Sequence, residues 1–333
     1  MPTIQEVARR AGVSSGSVSR YLNGHKLKER NERAIEQAIQ ELGYHPNALA
    51  RSLRAKRSFS IGLLVNNMLN NFAAQVVAQI EREMELNDYT ILLSGFRSDE
   101  SLFESKLRLM LDRRIDGLII FEGDAGWPGA QLLEDVDFPV IALSAPFDAP
   151  RVDSILVASA QSTQEVVGRM IDCGHERVGV IAGPQDEYVP RERLAGVRAA
   201  FDAAGLPRDH ARVLVSEDYS RRGGYELMGR LLREGLDAVF VCNYGLSQGA
   251  LQAVSESGVR IGEDLSYAAY DYFDASSIFY PRLTTIVPPA QEMGSMASHR
   301  LLHMIEGRRV AEGRRIFLPE HITMRSSVIG WQS

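Results

Sequence analysis

The sequence is poor in cysteine and in long apolar runs. Its 333 residues contain two cysteines, Cys173 and Cys242, outside any C-x-x-C pattern, so we expect reduced thiols and neither a disulfide framework nor a zinc site. No apolar run reaches the roughly 18 residues that span a bilayer. The N-terminus also lacks the apolar core of a secretory signal. These absences predict a cytosolic protein with no membrane partner.

The signatures of common enzyme classes are missing as well. A dinucleotide enzyme would carry G-x-G-x-x-G after its first strand, whereas residues 66–68 (Asn-Asn-Met) follow the first apolar run here. His299 and His303 have the spacing of metal ligands, but Arg300 stands where a zinc protease has glutamate. No third ligand is evident. We therefore expect no enzyme, no cofactor and no metal.

Charge is distributed unevenly along the chain. Residues 1–57 hold 11 Lys and Arg and five Glu, a net charge of +6, while residues 58–333 hold 26 basic and 38 acidic residues, a net charge of −12. A chain of this length also indicates two or three domains. A basic head on an acidic body is typical of a protein whose head neutralises DNA phosphates. An ordinary helical head with solvated basic side chains is the alternative that charge alone leaves open.

The head is predicted to contain a helix-turn-helix. Thr3, with Glu6 three residues later, predicts a capping box at the start of a first helix, and Gly12 predicts its end. Ser14 can cap a second helix, whose apolar face consists of Val18, Tyr21 and Leu22. A third helix is predicted over roughly residues 29–42.

The second helix places short polar side chains at its exposed beginning. The residues expected to point outward are Ser15, Gly16, Ser17, Ser19 and Arg20. DNA phosphates and base edges approach the start of such a helix closely, and the helix dipole favours phosphate there. Arg20 is the one long donor in this set and can address guanine with two hydrogen bonds. Capping and solvation are the alternative for Ser15 and Ser17.

A basic segment follows the third helix. Asn47 can cap a short helix, Ala48–Ala55, which would be marginal in isolation. Leu53 is its one large apolar residue, flanked by Arg51, Ser52 and Arg54. An apolar side chain among arginines is the composition of a wedge that enters the minor groove. A flexible basic linker with an incidental leucine is the alternative.

At this point the head resembles the LacI/GalR family of bacterial transcription repressors. The resemblance rests on T-I-Q-E-V-A, A-G-V-S, S-V-S-R-Y-L-N-G, E-L-G-Y-H-P-N and A-R-S-L-R, in this order. It implies that Ser15, Gly16 and Arg20 read bases and that Leu53 intercalates between base pairs. Residues 27–32 (Leu-Lys-Glu-Arg-Asn-Glu) stand at the start of the third helix and lack the serine that usually caps it in the family. The full set of expected DNA contacts is Thr3, Ser14, Ser15, Gly16, Ser17, Ser19, Arg20, Asn23, Tyr44, Asn47, Ala50 and Leu53.

Beyond residue 58, apolar strands alternate with helices, a pattern that indicates parallel α/β sheets. A first series of strands is expected at 61–65, 89–93, 117–121 and 140–143, and a second series at 154–157, 178–182, 212–215, 238–241 and 265–269. Two such series predict two similar lobes with a cleft between them.

The resemblance extends over the body and implies two Rossmann-like lobes of the periplasmic-binding-protein type. The chain would cross between the lobes near 155–160, 285–290 and 317–322. The expected domains are a helix-turn-helix domain (1–46), a hinge helix and linker (47–57), and an effector-binding and dimerisation domain (58–333). Within the last, lobe 1 is expected at about 58–155 and 288–318, and lobe 2 at about 156–287 and 319–333.

The resemblance also implies an effector site between the lobes, formed by Asn66, Phe72, Ser144, Arg193, Asn243 and Asp271. Arg193 and Asp271 match family positions that bond a ligand's hydroxyls or carboxylate. Tyr244 replaces a common aspartate, and Ser144 stands where some sugar-binding members have an acid, so we expect fewer carboxylates in this pocket than is usual in the family. A sugar, a sugar acid or a related metabolite is the expected effector. An anionic or less polar ligand fits the loss of carboxylates, with Arg193 as its anchor. A structural ion pair is the alternative role for Arg193.

These observations predict a sequence-specific transcription regulator, most simply a repressor. A homodimer would bind a pseudo-palindromic operator in double-stranded DNA, and a small effector in the cleft would change its operator affinity. A secreted binding protein is the other interpretation. It would share the body but carry a signal peptide in place of residues 1–57, and a test for DNA retention by the intact chain separates the two.

Overall fold

The computed structural model describes residues 2–22, 25–44, 57–68, 71–270, 281–308 and 315–331. The chain divides into two compact units, Met1–Phe59 and Ser60–Ser333. No helix among the described residues is long and apolar enough to cross a membrane. The predicted hinge helix, Ala48–Ala55, lies outside the described residues, as do the candidate contacts Asn23, Asn47, Ala50, Leu53 and Asp271.

The first unit contains three helices: α1 (Ile4–Ala11), α2 (Ser15–Leu22) and α3 (Glu29–Leu42). The predicted capping box is present, because the backbone amide of Glu6 donates to Thr3 Oγ1 (3.3 Å) and that of Thr3 donates to Glu6 Oε2 (2.7 Å). Gly12 ends α1 in the left-handed region, with φ 65°. This conformation costs a residue without a Cβ little, so the predicted helix end is confirmed.

The three helices of the head enclose one small core. Its buried members are Val7, Ala8, Val18, Ile35, Ala38 and Tyr44. As predicted, α3 begins without a side-chain cap at Lys28. The carboxylate of Glu32 instead accepts a hydrogen bond from the backbone amide of Leu27 (2.8 Å), just before the helix. A carboxylate here also opposes the positive end of the helix dipole, which stabilises the helix start.

The second unit has a first lobe built on a parallel sheet. Within the described residues this sheet has six strands, in the order β2-β1-β3-β4-β5-β11. The strands are β1 (Ser60–Val65), β2 (Thr90–Gly95), β3 (Gly117–Phe121), β4 (Val140–Leu143), β5 (Val152–Val157) and β11 (Arg315–Leu318). Its helices are α4 (Asn71–Leu86), α5 (Glu100–Asp112) and α10 (Ala290–Ile305).

The second lobe repeats this plan. Its described strands have the order β7-β6-β8-β9-β10-β12, all parallel except β12, which pairs antiparallel with β10. They are β6 (Val178–Ala182), β7 (Ala211–Val215), β8 (Ala238–Val241), β9 (Ser266–Tyr270), β10 (Thr284–Val287) and β12 (His321–Thr323). The helices are α6 (Ser159–Asp172), α7 (Tyr188–Ala203), α8 (Arg221–Arg233) and α9 (Tyr244–Ser257).

Each sheet is covered on both faces, which explains why the central strands are continuously apolar. Two clusters of buried side chains lie in each lobe, one on either face of the sheet. In the second lobe α6 and α7 approach closely at Gly196, where a Cβ would lie 2.3 Å from the carbonyl oxygen of Ala160. Only glycine permits this approach, and it places α7 with Arg193 beside the sheet.

The assignment of one strand differs from the sequence prediction. The run 154–157 was expected to open the second series of strands, and that expectation is wrong. It belongs to β5 in the first sheet, where Ile155 pairs with Leu143 of β4 and with Ile316 of β11. A strand buried on both faces has the same apolar pattern in either sheet, so periodicity could not assign it. The chain passes between the sheets at residues 158, 288–289 and 319–320, inside the expected crossover ranges.

Candidate DNA-binding head and effector cleft

The start of α2 is held by two serines and exposes the residues beside them. Ser14 Oγ accepts a hydrogen bond from the backbone amide of Ser17 (3.2 Å) and lies 3.0 Å from Ser17 Oγ. Ser14 therefore caps α2 as predicted. Ser15 and Gly16 are exposed, while Ser17 and Ser19 are half-buried. The exposed start of α2 can thus approach another molecule through Ser15 and through the backbone of Gly16.

Arg20 lies one turn along the same exposed side of α2. Its Nε donates to the carbonyl oxygen of Gly16 (3.4 Å), which lays the guanidinium against the helix start. The side chain remains exposed. An exposed guanidinium has the fixed fork of N–H groups that two hydrogen bonds to one base require.

Two other predicted contacts have roles inside the head. Tyr44 is only 7% exposed and belongs to the hydrophobic core of the three helices. The Thr3 hydroxyl donates to Glu6 Oε2 (3.0 Å) within the capping box. Both side chains therefore stabilise the fold of the head. The residues on the exposed side of α2 are more accessible to another molecule than Tyr44 is.

A cleft lies between the two lobes, at the carboxyl ends of the parallel strands, where open α/β sheets bind ligands. Its volume is about 730 Å³. Five of the six predicted effector residues line it: Asn66, Phe72, Ser144, Arg193 and Asn243. The sixth, Asp271, lies outside the described residues.

Asn66 shapes the rim of the cleft in the first lobe. Its Oδ1 accepts hydrogen bonds from the backbone amide (2.5 Å) and the hydroxyl (3.1 Å) of Ser98. Arg97 and Ser98 both have φ of 52°, a left-handed conformation that non-glycine residues seldom adopt. The Asn66 amide therefore holds the strained loop after β2 against the cleft.

The same serine joins the first lobe to the second. Ser98 Oγ lies 2.9 Å from Glu187 Oε1, and Glu187 Oε2 accepts a hydrogen bond from the hydroxyl of Tyr219 (2.7 Å). Glu187 immediately precedes α7, and Tyr219 lies between β7 and α8. The Tyr219 ring fits here because residue 183 is glycine, whose Cβ would lie 2.6 Å from the ring.

Burial raises the pKa of the Glu187 carboxyl, although the hydrogen bonds from Tyr219 and Ser98 oppose that shift. Asp186 and Asp124 raise the same pKa further by their negative charge. Burial and the neighbouring Glu187 also hold the pKa of Tyr219 well above its ordinary value. Tyr219 therefore stays protonated and serves as a hydrogen-bond donor to the carboxylate.

An ion pair makes a second contact between the lobes. Arg191 Nη2 of α7 lies 2.8 Å from Asp124 Oδ2, which follows β3 in the first lobe. The same guanidinium donates to the carbonyl oxygen of Asp186 (2.7 Å). Because Arg191 is partly exposed, this pair contributes only about 0–1 kcal/mol to holding the lobes together.

Arg193 occupies the floor of the cleft in the second lobe and is only 7% exposed. Its Nη1 donates to the carbonyl oxygen of Cys242 (2.5 Å), and its guanidinium lies 3.6 Å from the centre of the Tyr270 ring. The position of Arg193 in the lining of the cleft suits the anchoring role that the resemblance implies. A structural ion pair stays the alternative role.

Asn243 and Ser144 are more constrained than the sequence indicated. Asn243 caps α9, because its Oδ1 accepts from the backbone amides of Gly245 (2.8 Å) and Leu246 (3.4 Å). Its amide nitrogen remains the group that can face a ligand. Ser144 is buried after β4 with a φ of 59°, and its hydroxyl lies 3.9 Å from Met293 Sδ.

Comparisons with known proteins cover both units. Residues 3–47 match the family described as "Bacterial regulatory proteins, lacI family", and residues 167–328 match the periplasmic binding protein-like domain. The ribose operon repressor of Escherichia coli (strain K12) is 33% identical over 315 residues, which cover 92% of this chain and 93% of that repressor. The chain belongs to the LacI family. It is a DNA-binding transcription regulator.

Two further relatives extend the likeness of this LacI-family regulator. The HTH-type transcriptional repressor PurR of Haemophilus influenzae (strain PittEE) is 30% identical over 336 residues, 98% of this chain and 99% of that repressor. The crystal structure of the lac repressor dimer bound to operator and the anti-inducer ONPF matches with a TM-score of 0.86 and 28% identity. That match covers 98% of this chain and 99% of the lac repressor chain.

Several carboxylates line the cleft of this LacI-family regulator. Among the residues that the structure describes, five acids line it: Glu122, Asp186, Glu187, Glu217 and Asp218. Three arginines line it as well: Arg97, Arg193 and Arg221. The prediction that this pocket has fewer carboxylates than is usual in the family concerned other positions and stays a prediction. It compared single family positions, whereas these acids lie on loops after β3, β6 and β7 that converge only in the fold.

Sequence reasoning also missed Ser98, Glu187 and Tyr219, which together join the two walls of the cleft. Each follows a predicted strand within a few residues. Because the carboxyl ends of parallel strands meet at one edge of each sheet, polar residues at these positions were the available signal. Their pairing across the cleft depends on the angle between the lobes and has no local signature.

Proposed function

We propose that this regulator is a repressor that binds a pseudo-palindromic operator as a homodimer. A small metabolite that enters the cleft lowers or raises its affinity for the operator. The main support for this proposal is the cleft, which is lined by residues of both lobes, including the buried Arg193. A ligand that contacts both walls changes the balance between lobe arrangements, and this change is the differential binding that allostery requires.

In the head, we assign base reading to Ser15, Gly16 and Arg20. They form the exposed side of α2, and Arg20 already lies against the helix start. The half-buried hydroxyls of Ser17 and Ser19 suit contacts to phosphates, which position the helix without selecting a sequence. Leu53 is assigned the minor-groove wedge on sequence grounds alone.

The charges in the cleft favour an uncharged, polyhydroxylated effector over a sugar acid. Among the described lining residues acids outnumber arginines, so a carboxylate ligand would meet net repulsion. Carboxylates and the Asn243 amide suit sugar hydroxyls, and Phe72 offers an apolar face for the ring. The ribose operon repressor among its relatives is named for a sugar of this kind.

We assign regulation without catalysis, as for the repressors to which the chain is related, and action in the bacterial cytoplasm, where its operator lies. No reaction is needed for the switch. The free energy comes from the difference in effector affinity between two lobe arrangements, and a coupling of 1–3 kcal/mol, or roughly 5–150-fold, is typical.

The test begins with selection of binding sites from random double-stranded DNA by the full-length protein. Enrichment of a pseudo-palindromic site is expected, and enrichment of an asymmetric site would contradict binding as a symmetric dimer. Pentoses, hexoses and the matching sugar acids are then screened by thermal shift and by operator titration. We expect a neutral sugar to raise the melting temperature and to change operator affinity. Binding of a sugar acid alone would overturn the effector class.

A further inference from the structure

Tyr270 is the last residue of β9 and is fully buried in the second lobe. Its hydroxyl donates to the carbonyl oxygen of Ser159 (2.9 Å) or to Glu320 Oε2 (3.0 Å), and it lies 3.0 Å from Thr163 Oγ1. One phenol hydroxyl therefore has three polar neighbours in a site without water access. Polar groups in such a site must satisfy one another, because an unpaired polar group would be costly there.

Two of these neighbours belong to the segments by which the chain crosses between the lobes. Ser159 begins α6, directly after the crossover from β5 at residue 158, and Glu320 lies between β11 and β12. The two crossovers are also joined to each other. The backbone amide of Ala158 donates to the carbonyl oxygen of Leu318 (3.0 Å), and Ser159 Oγ donates to Glu320 Oε1 (3.3 Å). The Tyr270 hydroxyl thus lies within hydrogen-bonding distance of a residue in each of the two crossovers.

The ring of the same tyrosine supports the floor of the cleft. The guanidinium of Arg193 lies 3.6 Å from the ring centre, and Arg193 lines the cleft. A guanidinium over an aromatic face is attracted by the ring quadrupole, more strongly when both are buried. Any movement of the ring therefore moves the most favourable position of the guanidinium.

We propose that Tyr270 and Glu320 are positioning residues that connect the effector anchor Arg193 to the crossovers at residues 158 and 319–320. The Tyr270 ring fixes the position of the Arg193 guanidinium at one particular angle between the lobes. The buried Glu320 carboxylate fixes the position of the ring through its hydrogen bond from the Tyr270 hydroxyl. This inference rests on the proposed role of Arg193 as effector anchor. It adds a route by which a ligand on the cleft floor and the angle between the lobes influence one another.

The chain provides a matched control on the same strand. Tyr267 is also fully buried in β9, and its hydroxyl likewise bonds a serine, Ser247 (Oγ 2.8 Å), but that serine lies in α9, away from the crossovers. Tyr267→Phe and Tyr270→Phe each remove one buried hydroxyl with its hydrogen bonds. A similar loss of thermal stability is expected from both variants, so stability alone does not distinguish a structural role from a positioning role.

The experiment measures the distance between the lobes in the full-length protein without effector or operator. Spin labels are placed on exposed residues of the two lobes through Arg113→Cys and Asp209→Cys, in a Cys173→Ser background. Labelled protein is diluted with unlabelled protein, so that distances within one subunit dominate the electron–electron double resonance signal. We expect Tyr270→Phe to broaden the distance distribution roughly twofold, while Tyr267→Phe leaves it unchanged.

Glu320 provides a second, independent variant. Glu320→Ala should broaden the distribution as Tyr270→Phe does, whereas Glu320→Gln, which keeps an acceptor for the Tyr270 hydroxyl, should restore the narrow form. If Tyr270→Phe does not fold, the two Glu320 variants decide. Narrow distributions in both Tyr270→Phe and Glu320→Ala would overturn the proposal, as would equal broadening in Tyr267→Phe. Because no effector or operator is present, failure of the proposed function would leave this result unaffected.

Discussion

The hydroxyl of Ser98 and the carboxylate of Glu187, 2.9 Å apart, meet across the cleft from opposite lobes. Ser98 has one hydroxyl hydrogen but two acceptors, since Asn66 Oδ1 lies 3.1 Å from the same oxygen. The hydrogen bonds that Ser98 and Tyr219 donate to Glu187 favour its carboxylate, whereas burial favours the protonated acid and is the larger effect. The bridged arrangement of the lobes therefore raises the pKa of Glu187 overall.

Closure of the cleft should consequently depend on pH. In the bridged form, burial raises the pKa of Glu187 above its ordinary value of 4.5, and opening to solvent returns it towards that value. The bridged form thus binds the proton more tightly. Its advantage is fully present below the ordinary pKa and is lost as pH rises through the raised one. We expect the interlobe distance to shorten as pH falls from about 8 to about 4.5.

Glu187→Gln, which can hydrogen-bond Ser98 and Tyr219 but does not titrate, should abolish this pH dependence and hold the bridge at every pH. Asp186→Asn is the neighbouring control: it removes a charge that raises the pKa of Glu187 but not the bridge, so a weakened pH dependence should remain. The measurement is the interlobe distance by spin labels across the pH series. If Glu187→Gln follows the same pH curve as the parent protein, another group is responsible.

Arg20→Ala should weaken operator binding by roughly 1–3 kcal/mol more than binding to random DNA, because two hydrogen bonds to one base discriminate between sequences. Arg33 is the control. It is exposed on α3 and paired with Glu29 (2.5 Å), so Arg33→Ala should affect both DNAs little. Fluorescence anisotropy at several salt concentrations measures the affinity for the selected operator and the affinity for scrambled DNA. An equal loss on the two DNAs would refute base reading by Arg20.

Arg193→Ala should lower the affinity for the effector found by screening by roughly 1–3 kcal/mol, because ligand groups lose a buried charged partner. Arg191, two residues earlier on α7, is the matched control. Its partly exposed pair with Asp124 contributes only about 0–1 kcal/mol. Calorimetry compares the two variants, beside operator titrations without effector. Unchanged effector affinity in Arg193→Ala would remove this residue from the site.

Gly196→Ala should destabilise the body by about 1–3 kcal/mol, because the new methyl group would lie 2.3 Å from the carbonyl oxygen of Ala160 and force α6 and α7 apart. Gly168→Ala in α6 is the control. Nothing lies within 4 Å of its Cβ position, so alanine should stabilise the helix by about 0.5–1 kcal/mol. Urea unfolding of both variants checks the opposite signs. A neutral Gly196→Ala would mean that the helices separate at little cost.

Local chemistry in the sequence was sufficient for the head. A threonine with a glutamate three residues later can satisfy two amides within one turn, and Gly12 adopts a conformation that other residues avoid. The bounds of α1, α2 and α3 follow from such contacts between residues close in the chain. The apolar runs likewise predicted most strands of both lobes, because burial on both faces of a sheet requires them.

Tertiary structure decided what depends on residues far apart. The place of β5 in the first sheet, the burial of Tyr44 and the carboxylates gathered in the cleft follow from which elements become neighbours. Ser98 and Glu187 are separated by 89 positions, and Tyr270 and Glu320 by 50. Local propensity carries no information on such pairs. These hydrogen-bonded pairs contribute to stability only once packing of the lobes excludes water from their polar groups. No local pattern in the sequence distinguishes those groups.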